Sequence, residues 1–257
     1  MLEWFIFALI GAVAGLLSGL LGLGGGVVIV PALLFVFSIQ SQYSELLIHS
    51  AIATSLMTII VTSLSSIYAH HARKNINWSV VIHLVPGLML GGFLGAYMAL
   101  SLSGYFLQTL FALYLFIVAA LTWKPVLTSG NSRLLKNRAI LAFVSLFTGL
   151  ISALVGIGGG TFIVPYLVMA KQSMTRAVAI SATCSFPIAL SAVLGFIVLS
   201  PSSENSAIHW TAFWGMVSTS VLFSFIGARL ASHLSVSVMK KIFSLILILM
   251  SVYLIKW

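Results

Sequence analysis

The chain has 257 residues and a formal net charge of +9, with 61% hydrophobic and only 6% charged residues, and its mean hydropathy is +1.19. In soluble globular domains roughly a quarter of the residues are charged, so this composition excludes a water-soluble globular protein and predicts a protein of the lipid bilayer. With no aspartate and three glutamates, the sequence also disfavours a buried carboxylate relay, a carboxylate metal site and a paired-acid hydrolase.

Eight apolar segments are long enough to cross a membrane, for which a helix needs about 20 residues. They span residues 4–21, 46–69, 78–99, 104–123, 139–155, 177–199, 210–231 and 241–257. Two further apolar stretches, 27–37 and 161–170, are about half of that length. Each of these two segments either crosses the membrane fully together with its neighbour or is re-entrant and returns to the side from which it entered.

Each short stretch belongs to a copy of the same glycine-rich motif. Residues 15–31, GLLSGLLGLGGGVVIVP, and residues 149–165, GLISALVGIGGGTFIVP, are identical at eleven of seventeen positions. The match continues downstream, where AIATS at 51–55 corresponds to ISATC at 180–184, and NWS at 77–79 corresponds to HWT at 209–211. We therefore expect one membrane domain over 1–257, organised as repeat one (1–123), a linker (124–138) and repeat two (139–257).

Lysine and arginine in the short loops predict the orientation of the segments. The loop 70–75 is basic in the first half, whereas its counterpart in the second half lacks lysine and arginine. This change of side predicts two inverted-topology repeats, each a glycine-broken helical hairpin plus three transmembrane helices. The linker is then cytoplasmic and both termini are outside. The basic loop is also predicted to face cytoplasmic solvent or lipid headgroups, with the side chains of His70, His71, Arg73 and Lys74.

The glycine motifs are the strongest candidates for a binding site. Consecutive glycines disfavour a continuous helix, and irregular backbone survives at membrane depth only inside protein or along a wet cavity. Free N–H groups and the positive end of the following half-helix suit an anion, and two inverted turns would meet near the bilayer centre. The alternative is that glycines only let helices pack closely. The candidate residues are Gly24, Gly25, Gly26, Gly158, Gly159 and Gly160.

Polar side chains on the neighbouring segments are candidates to complete the site. We expect contacts with the substrate from the paired positions Thr54, Ser55, Thr183 and Cys184. Candidates for coupling or gating are His49, His83, Ser18 and Ser152. The alternatives are hydroxyls bonded to their own helix, histidines bonded to backbone carbonyls and a cysteine that only fills the core.

The paired motifs SGLLGLGGGVVIVP and SALVGIGGGTFIVP, each followed by a segment that carries ATS or ATC, resemble those of the TauE/SafE family, also called the sulfite exporter or TSUP family. The resemblance covers essentially the whole chain. It implies a transporter of the bacterial inner membrane that carries small sulfur-containing anions or organic acids.

These features predict a secondary transporter that moves a small anion, a sulfur oxyanion or an organosulfonate, by alternating access. The substrate, its direction, the coupling ion (proton or sodium) and the oligomeric state are left open. Within transport, the alternative is a passive anion channel. Among enzymes it is an intramembrane hydrolase with Ser18 as nucleophile and His83 as base, although a GxSG context and an orienting aspartate are missing. We expect no enzymatic activity, no metal, no cofactor and no nucleic-acid partner.

Overall fold

A computed structural model of the chain describes residues 2–21, 25–39, 47–123, 135, 137–200, 208–230, 244–245, 247–252 and 254. These residues form nine principal helices and contain no β-strand. In chain order the helices are α1 Leu2–Leu21, α2 Gly26–Ile39, α3 Leu47–Ala72, α4 Trp78–Ser101, α5 Gly104–Trp123, α6 Arg138–Val155, α7 Gly160–Met169, α8 Met174–Leu199 and α9 Trp210–Leu230. Of the described residues beyond α9, 244–245, 247–252 and 254 are also helical.

The helices follow the predicted apolar segments. Helices α1, α3, α4, α6, α8 and α9 are long and apolar enough to cross a bilayer. Helix α5 has 20 residues. Helices α2 and α7 have 14 and 10 residues. At a rise of 1.5 Å per residue neither crosses a hydrocarbon core of about 30 Å by itself. The prediction of an all-α, multi-pass membrane protein is confirmed.

Large apolar side chains cover the outside of the helix bundle. Phe5, Ile82, Phe143, Val198 and Leu222 are all exposed, and they come from five of the six spanning helices. In water such an apolar exterior would drive association, whereas lipid tails solvate it. The exposed faces of these five helices therefore fit a bilayer.

Glycines let α1 approach α9 until the two backbones touch. A Cβ at Gly11 would overlap the carbonyl oxygen of Met216, and a Cβ at Gly15 would overlap that of Ser220. From Gly11 to Gly15 along α1, the contacted residue on α9 also moves forward, from Met216 to Ser220. Helices α1 and α9 therefore run in the same direction. Small residues are the usual means of close helix packing in a membrane, where apolar side chains gain little from leaving lipid.

Helices α4 and α6 form a second pair of the same kind. A Cβ at Gly91 would overlap the carbonyl oxygen of Leu146, and a Cβ at Gly95 would overlap that of Leu150. These two helices also run in the same direction. Each pair thus joins one helix from the first half of the chain to one from the second.

Helices α3 and α8 have the largest buried share of the six spans. Along α3, the carbonyl oxygen of Thr62 accepts a hydrogen bond of 3.5 Å from the hydroxyl of Ser224 on α9. Along α8, the hydroxyl of Ser191 lies where a Cβ on Gly92 of α4 would be. In the alignment of the two repeats, Thr62 corresponds to Ser191 and Gly92 corresponds to Ser224. The contact of α3 with α9 and the contact of α8 with α4 therefore involve equivalent positions.

The basic cluster at the end of α3 differs from the prediction at one residue. His71, Arg73 and Lys74 are exposed, as expected. His70 is only 3% exposed, so the expectation that it faces solvent or headgroups is wrong. Because α3 continues to Ala72, His70 still lies on the helix and falls on its buried side, where neither ring nitrogen has a hydrogen-bond partner among the described groups.

We expect Gly15→Val to loosen α1 from α9, because the added side chain would collide with the backbone of Ser220. Overpacking of this kind costs about 1–3 kcal/mol, so the purified protein should melt at a lower temperature in detergent. The control is Val13→Ala on the exposed side of the same helix, which should melt as the wild type does. Equal melting of the two variants would contradict a tight α1–α9 contact.

Candidate functional site

Glycine ends α6 and starts α7. Gly156 has a φ of +71°, in the left-handed region that favours glycine, and its N–H donates to the carbonyl of Ser152. The N–H of Ile157 donates to the same carbonyl at 2.9 Å. Gly159 then caps α7, and its carbonyl accepts the N–H of Ile163 at 3.0 Å. The whole turn, 156–160, is buried, and the first N–H groups of α7 form the positive end of that helix.

The first turn also contains a glycine in the left-handed region, but at a different position of the motif, since Gly25 aligns with Gly159, whose φ is −62°. Residues 22–24, and with them the candidate Gly24, lie outside the described residues. Gly25 has a φ of +77°, and its carbonyl accepts the first helical N–H groups of α2 at 3.0 and 3.2 Å. Helix α2 therefore starts at a glycine turn just as α7 does.

The two turns meet in the interior. A Cβ at Gly26 would overlap the carbonyl oxygen of Gly156, so the two backbones touch there. Helix α3 packs against the same point, since a Cβ at Gly156 would lie 3.0 Å from the Cα of Ile52. The hydroxyl of Ser55 on α3 donates to the carbonyl of Gly156 at 2.8 Å. The candidates Gly26 and Ser55, from the first half, are thus in contact with the turn of the second half.

The other three candidates on α3 and α8 are buried but differ in their partners. Thr54 Oγ1 accepts the backbone N–H of His209 at 2.8 Å, which joins α3 to the start of α9. Thr183 Oγ1 donates to the carbonyl of Ala179 in its own helix at 2.8 Å. Cys184 is fully buried. Thr183 therefore makes the own-helix bond that the sequence offered as the alternative, whereas Thr54 links two halves of the chain.

Two serines at equivalent positions lie just ahead of the turns. Ser18 and Ser152 are 2% and 1% exposed. The hydroxyl of Ser152 has no hydrogen-bond partner among the described groups, and neither has that of Thr148, one turn earlier on α6. The methyl group of Thr148 lies against Gly159, where an added Cβ would be 3.2 Å away. Thr148 does not stand out in the sequence because the first copy of the motif has Ala14 at that position, although a hydroxyl four residues before Ser152 is a signal.

A pair of hydroxyls lies at the start of α7. Tyr114 on α5 is buried and hydrogen-bonds to Thr161 in the first turn of α7. Its ring also packs against Phe162, with 6.0 Å between the ring centroids. The sequence offered no signal for this pair, because the first motif has Val27 in place of Thr161. Polar groups from α3, α5 and α6 therefore surround the second turn.

The two candidate histidines have different environments. His49 is buried, and its Nε2 donates to the carbonyls of Ala99 and Leu102 at 3.0 and 3.2 Å, which caps the end of α4. Because carbonyls only accept, Nε2 carries a proton, and the buried Nδ1 has no described partner. His83 is exposed on α4, and its Nδ1 donates to the carbonyl of Ser79 at 2.6 Å. His49 thus faces the interior and His83 the exterior of the bundle.

A third histidine, which is not among the candidates from the sequence, lies just before the spanning part of α9. Nδ1 of His209 accepts the N–H of Ala212 at 3.2 Å, and its ring centroid is 5.0 Å from that of Phe37 and 6.0 Å from that of Phe7. Partial burial lowers the pKa of His209 below its usual value of 6.5. A backbone hydrogen bond and the charge of Glu3 act in the opposite direction but do not outweigh burial.

The groups that surround the turns are neutral. They are backbone N–H and carbonyl groups together with the hydroxyls of serine, threonine and tyrosine. Among the described residues, no three histidine, cysteine, aspartate or glutamate side chains come together as a set of metal ligands. The arrangement supplies hydrogen-bond donors and two helix N-termini, which are the features that stabilise an anion.

Comparison with known proteins agrees with this architecture. A family profile described as "Sulfite exporter TauE/SafE" matches residues 7–254, which include both glycine turns. The chain belongs to the TauE/SafE family. This confirms the resemblance that the paired motifs indicated.

Relatives of this TauE/SafE protein carry the name "Probable membrane transporter protein". One from Haemophilus influenzae is 35% identical over 253 residues, which cover 95% of each chain. One from Xylella fastidiosa is 30% identical over 252 residues, covering 95% of this chain and 92% of its own. One from Methanocaldococcus jannaschii is 32% identical over 177 residues, covering 68% and 66%. No solved structure matches the chain. The TauE/SafE protein is thus similar over up to 95% of its length to proteins named as transporters.

We expect Ser55→Ala to destabilise the protein, because the buried carbonyl of Gly156 would lose its hydrogen bond. An unsatisfied buried group costs about 1–3 kcal/mol, which thermal unfolding in detergent would detect. The matched control is Ser185→Ala, whose hydroxyl bonds at 3.1 Å to the carbonyl of Ser181 in its own helix. That carbonyl is part of the helical ladder, so the loss should be smaller. Equal losses would show that Ser55 does not hold the turn.

The stability of the protein should fall on acidification because of His209. The pKa of His209 in the folded protein lies below the unfolded value of 6.5. The contribution of neutral His209 to the free energy of unfolding is therefore complete above pH 6.5 and is lost as the pH falls. His209→Asn retains an acceptor for the N–H of Ala212 but does not titrate. Between about pH 7 and pH 5, the melting temperature should fall less for this variant than for the wild type. Parallel falls would contradict the assignment.

Proposed function

We propose that this TauE/SafE protein is a secondary transporter that carries a small anion, a sulfur oxyanion or an organosulfonate, across the inner membrane by alternating access. The observation that carries the proposal is the contact between the two glycine turns, where Gly26 meets Gly156 inside a bundle of apolar helices. Each turn starts a half-length helix, so two positive helix ends lie in the same interior region.

The chemistry of this region favours an anion over a cation. A cation would need carboxylates or free carbonyls as ligands, but the carbonyl of Gly156 already accepts a bond from Ser55. The unpartnered hydroxyls of Thr148 and Ser152 are able to donate. Hydrogen-bond donors without formal charge let an anion bind and leave again, which a transport cycle requires.

Helix directions support the inverted repeat in this proposal. Helix α9 runs along α3, since His209 bonds to Thr54 and, further along both helices, Ser65 donates to the carbonyl of Val221 at 3.1 Å. Helix α4 runs back from α3 after the short loop 73–77. Helices α4 and α9, which are sequence counterparts, then have opposite directions. Opposite directions of counterparts are what an inverted repeat requires, and such repeats commonly alternate access around a central site.

The orientation in the membrane is part of the same proposal. The exposed basic residues His71, Arg73 and Lys74 follow α3, and positive loops face the cytoplasm by the usual bias. With that end inside, the start of α1 and the start of α9 face outward. The linker 124–138, of which the structure describes only 135, 137 and 138, would then be cytoplasmic.

The test is exchange of labelled anions by the protein in proteoliposomes loaded with unlabelled anion. Sulfite, thiosulfate, sulfoacetate, taurine and small carboxylates form the panel, and we expect saturable counterflow of at least one sulfur-containing anion. Gly159→Ala should reduce that counterflow by at least about tenfold. The φ of −62° at this residue suits alanine, but the added Cβ would lie 2.7 Å from Ile188 and 2.9 Å from Ile163 and so narrow the turn.

The control for this experiment is Leu222→Ala on the lipid-facing side of α9, which should exchange as the wild type does. Both variants are compared at equal amounts of folded protein, judged by their melting curves. Conductance without saturation would indicate a passive channel instead. Failure of folded wild-type protein to exchange any anion of the panel would contradict the proposed function.

A further inference from the structure

The interior hydroxyls of the bundle fall into two groups. Most donate to a backbone carbonyl, as Thr58, Thr62 and Thr183 do within their own helices. Four buried hydroxyls, those of Ser66, Thr148, Ser152 and Ser220, have no partner among the described groups. Of these, Thr148 and Ser152 are one turn apart on the same helix, and they are 0% and 1% exposed. A buried polar group without a partner costs free energy, so a native structure that retains two of them together calls for a ligand or water that completes them.

The two unpartnered hydroxyls lie together beside the second turn. Thr148 and Ser152 are four residues apart on α6 and so share one face of the helix. The methyl group of Thr148 packs against Gly159, the residue that caps α7. The backbone carbonyl of Ser152 closes the turn by accepting the N–H of Gly156. Thr148 therefore lies against the start of α7, and Ser152 lies one helical turn further along α6, where the chain turns towards α7.

A further donor is available from the hydroxyl pair at the same helix end. When Tyr114 and Thr161 hydrogen-bond to each other, one hydroxyl uses its proton and the other accepts. The accepting hydroxyl keeps its own proton for another partner, because each hydroxyl has one proton and two lone pairs. Donors from α5, α6 and α7 thus lie around one helix terminus.

The sequence does not repeat this set of hydroxyls at the first turn, although the two motifs match at eleven of seventeen positions. Alignment of the repeats places alanine, valine and isoleucine where the second turn has Thr148, Thr161 and Tyr114. These counterparts are Ala14, Val27 and Ile246. Of the hydroxyls on α6 and α7, only that of Ser152 has a hydroxyl counterpart in the first copy, Ser18. The glycine framework is therefore duplicated, whereas the hydroxyl chemistry is not.

We propose that the transported anion is held on one side of the pseudo-symmetric centre, at the second turn, by the hydroxyls of Thr148 and Ser152 together with the N-terminus of α7, and that these two residues determine affinity. The first turn, with Gly25 and Gly26, then serves as the backbone surface against which the binding turn rests. This inference rests on the proposed function, because it names the residues that hold the anion that the transporter carries.

The test compares hydroxyl deletions at the two turns. Thr148→Val keeps the methyl contact with Gly159 and removes only the hydroxyl, and Ser152→Ala removes the second one. The matched control is Ser18→Ala, which deletes the equivalent hydroxyl at the first turn. Counterflow kinetics in proteoliposomes are measured with the anion of the panel that the wild type exchanges, and anion-induced thermal stabilisation is measured in detergent.

We expect Thr148→Val and Ser152→Ala each to raise KM by at least about tenfold, because each removes a hydrogen bond to a charged ligand. Ser18→Ala should keep KM within about twofold of the wild type. In the absence of anion, Thr148→Val should melt no lower than the wild type, since its hydroxyl bonds to no described group. Thr148→Ser, which restores a hydroxyl, should recover most of the affinity.

Three results would overturn the inference. If Thr148→Val and Ser152→Ala both exchange the anion at the wild-type rate and with the wild-type KM, these hydroxyls do not hold the anion. An equal rise of KM in Ser18→Ala and Ser152→Ala would show that both turns bind it. Failure of the wild type to exchange any anion would remove the proposed function and this inference together, so the two failures are distinguishable.

Discussion

A helix that breaks inside a membrane must find hydrogen-bond partners within the protein, because lipid offers none. At the second turn the carbonyl of Ser152 accepts from Gly156 and Ile157, and the carbonyl of Gly156 accepts from Ser55. This requirement determines the arrangement around it. Helix α3 has to lie beside the turn to present Ser55, and residue 26 has to be glycine because the backbone of the other turn occupies the space of a side chain.

The same requirement distinguishes hydroxyls that build the fold from those available for binding. Ser55 and Thr54 form bonds between the two halves of the chain, so their removal would act on the structure first. Thr148 and Ser152 bond to no described group, although each has a carbonyl of its own helix within a turn. A binding site needs both kinds close together, since the turn must be rigid enough to position the donors that a ligand uses.

Much of this architecture follows from the sequence, because segment length and the doubled motif fix where helices run and where they break. The positive φ of Gly25 and Gly156 occurs inside those motifs. The features that could not be predicted from the sequence depend on whether a residue lies on the buried or the exposed side of its helix. His70 belongs to a basic cluster but falls on the buried side of α3, and Thr148 was hidden because its counterpart in the first copy is an alanine. The bond between Thr54 and His209 joins residues far apart in the chain, which no local pattern indicates.

The contacts of α1 with α9 and of α4 with α6 have a mechanical consequence. Gly15 rests on the backbone of Ser220, and Gly95 rests on that of Leu150, so neither pair of helices can slide without a collision of main chains. A conformational cycle that preserves these contacts must carry α1 along with α9, and α4 along with α6. Each unit that moves in such a cycle then contains helices from both sequence copies, so the cycle would require hinges within each copy and not only at the linker between them.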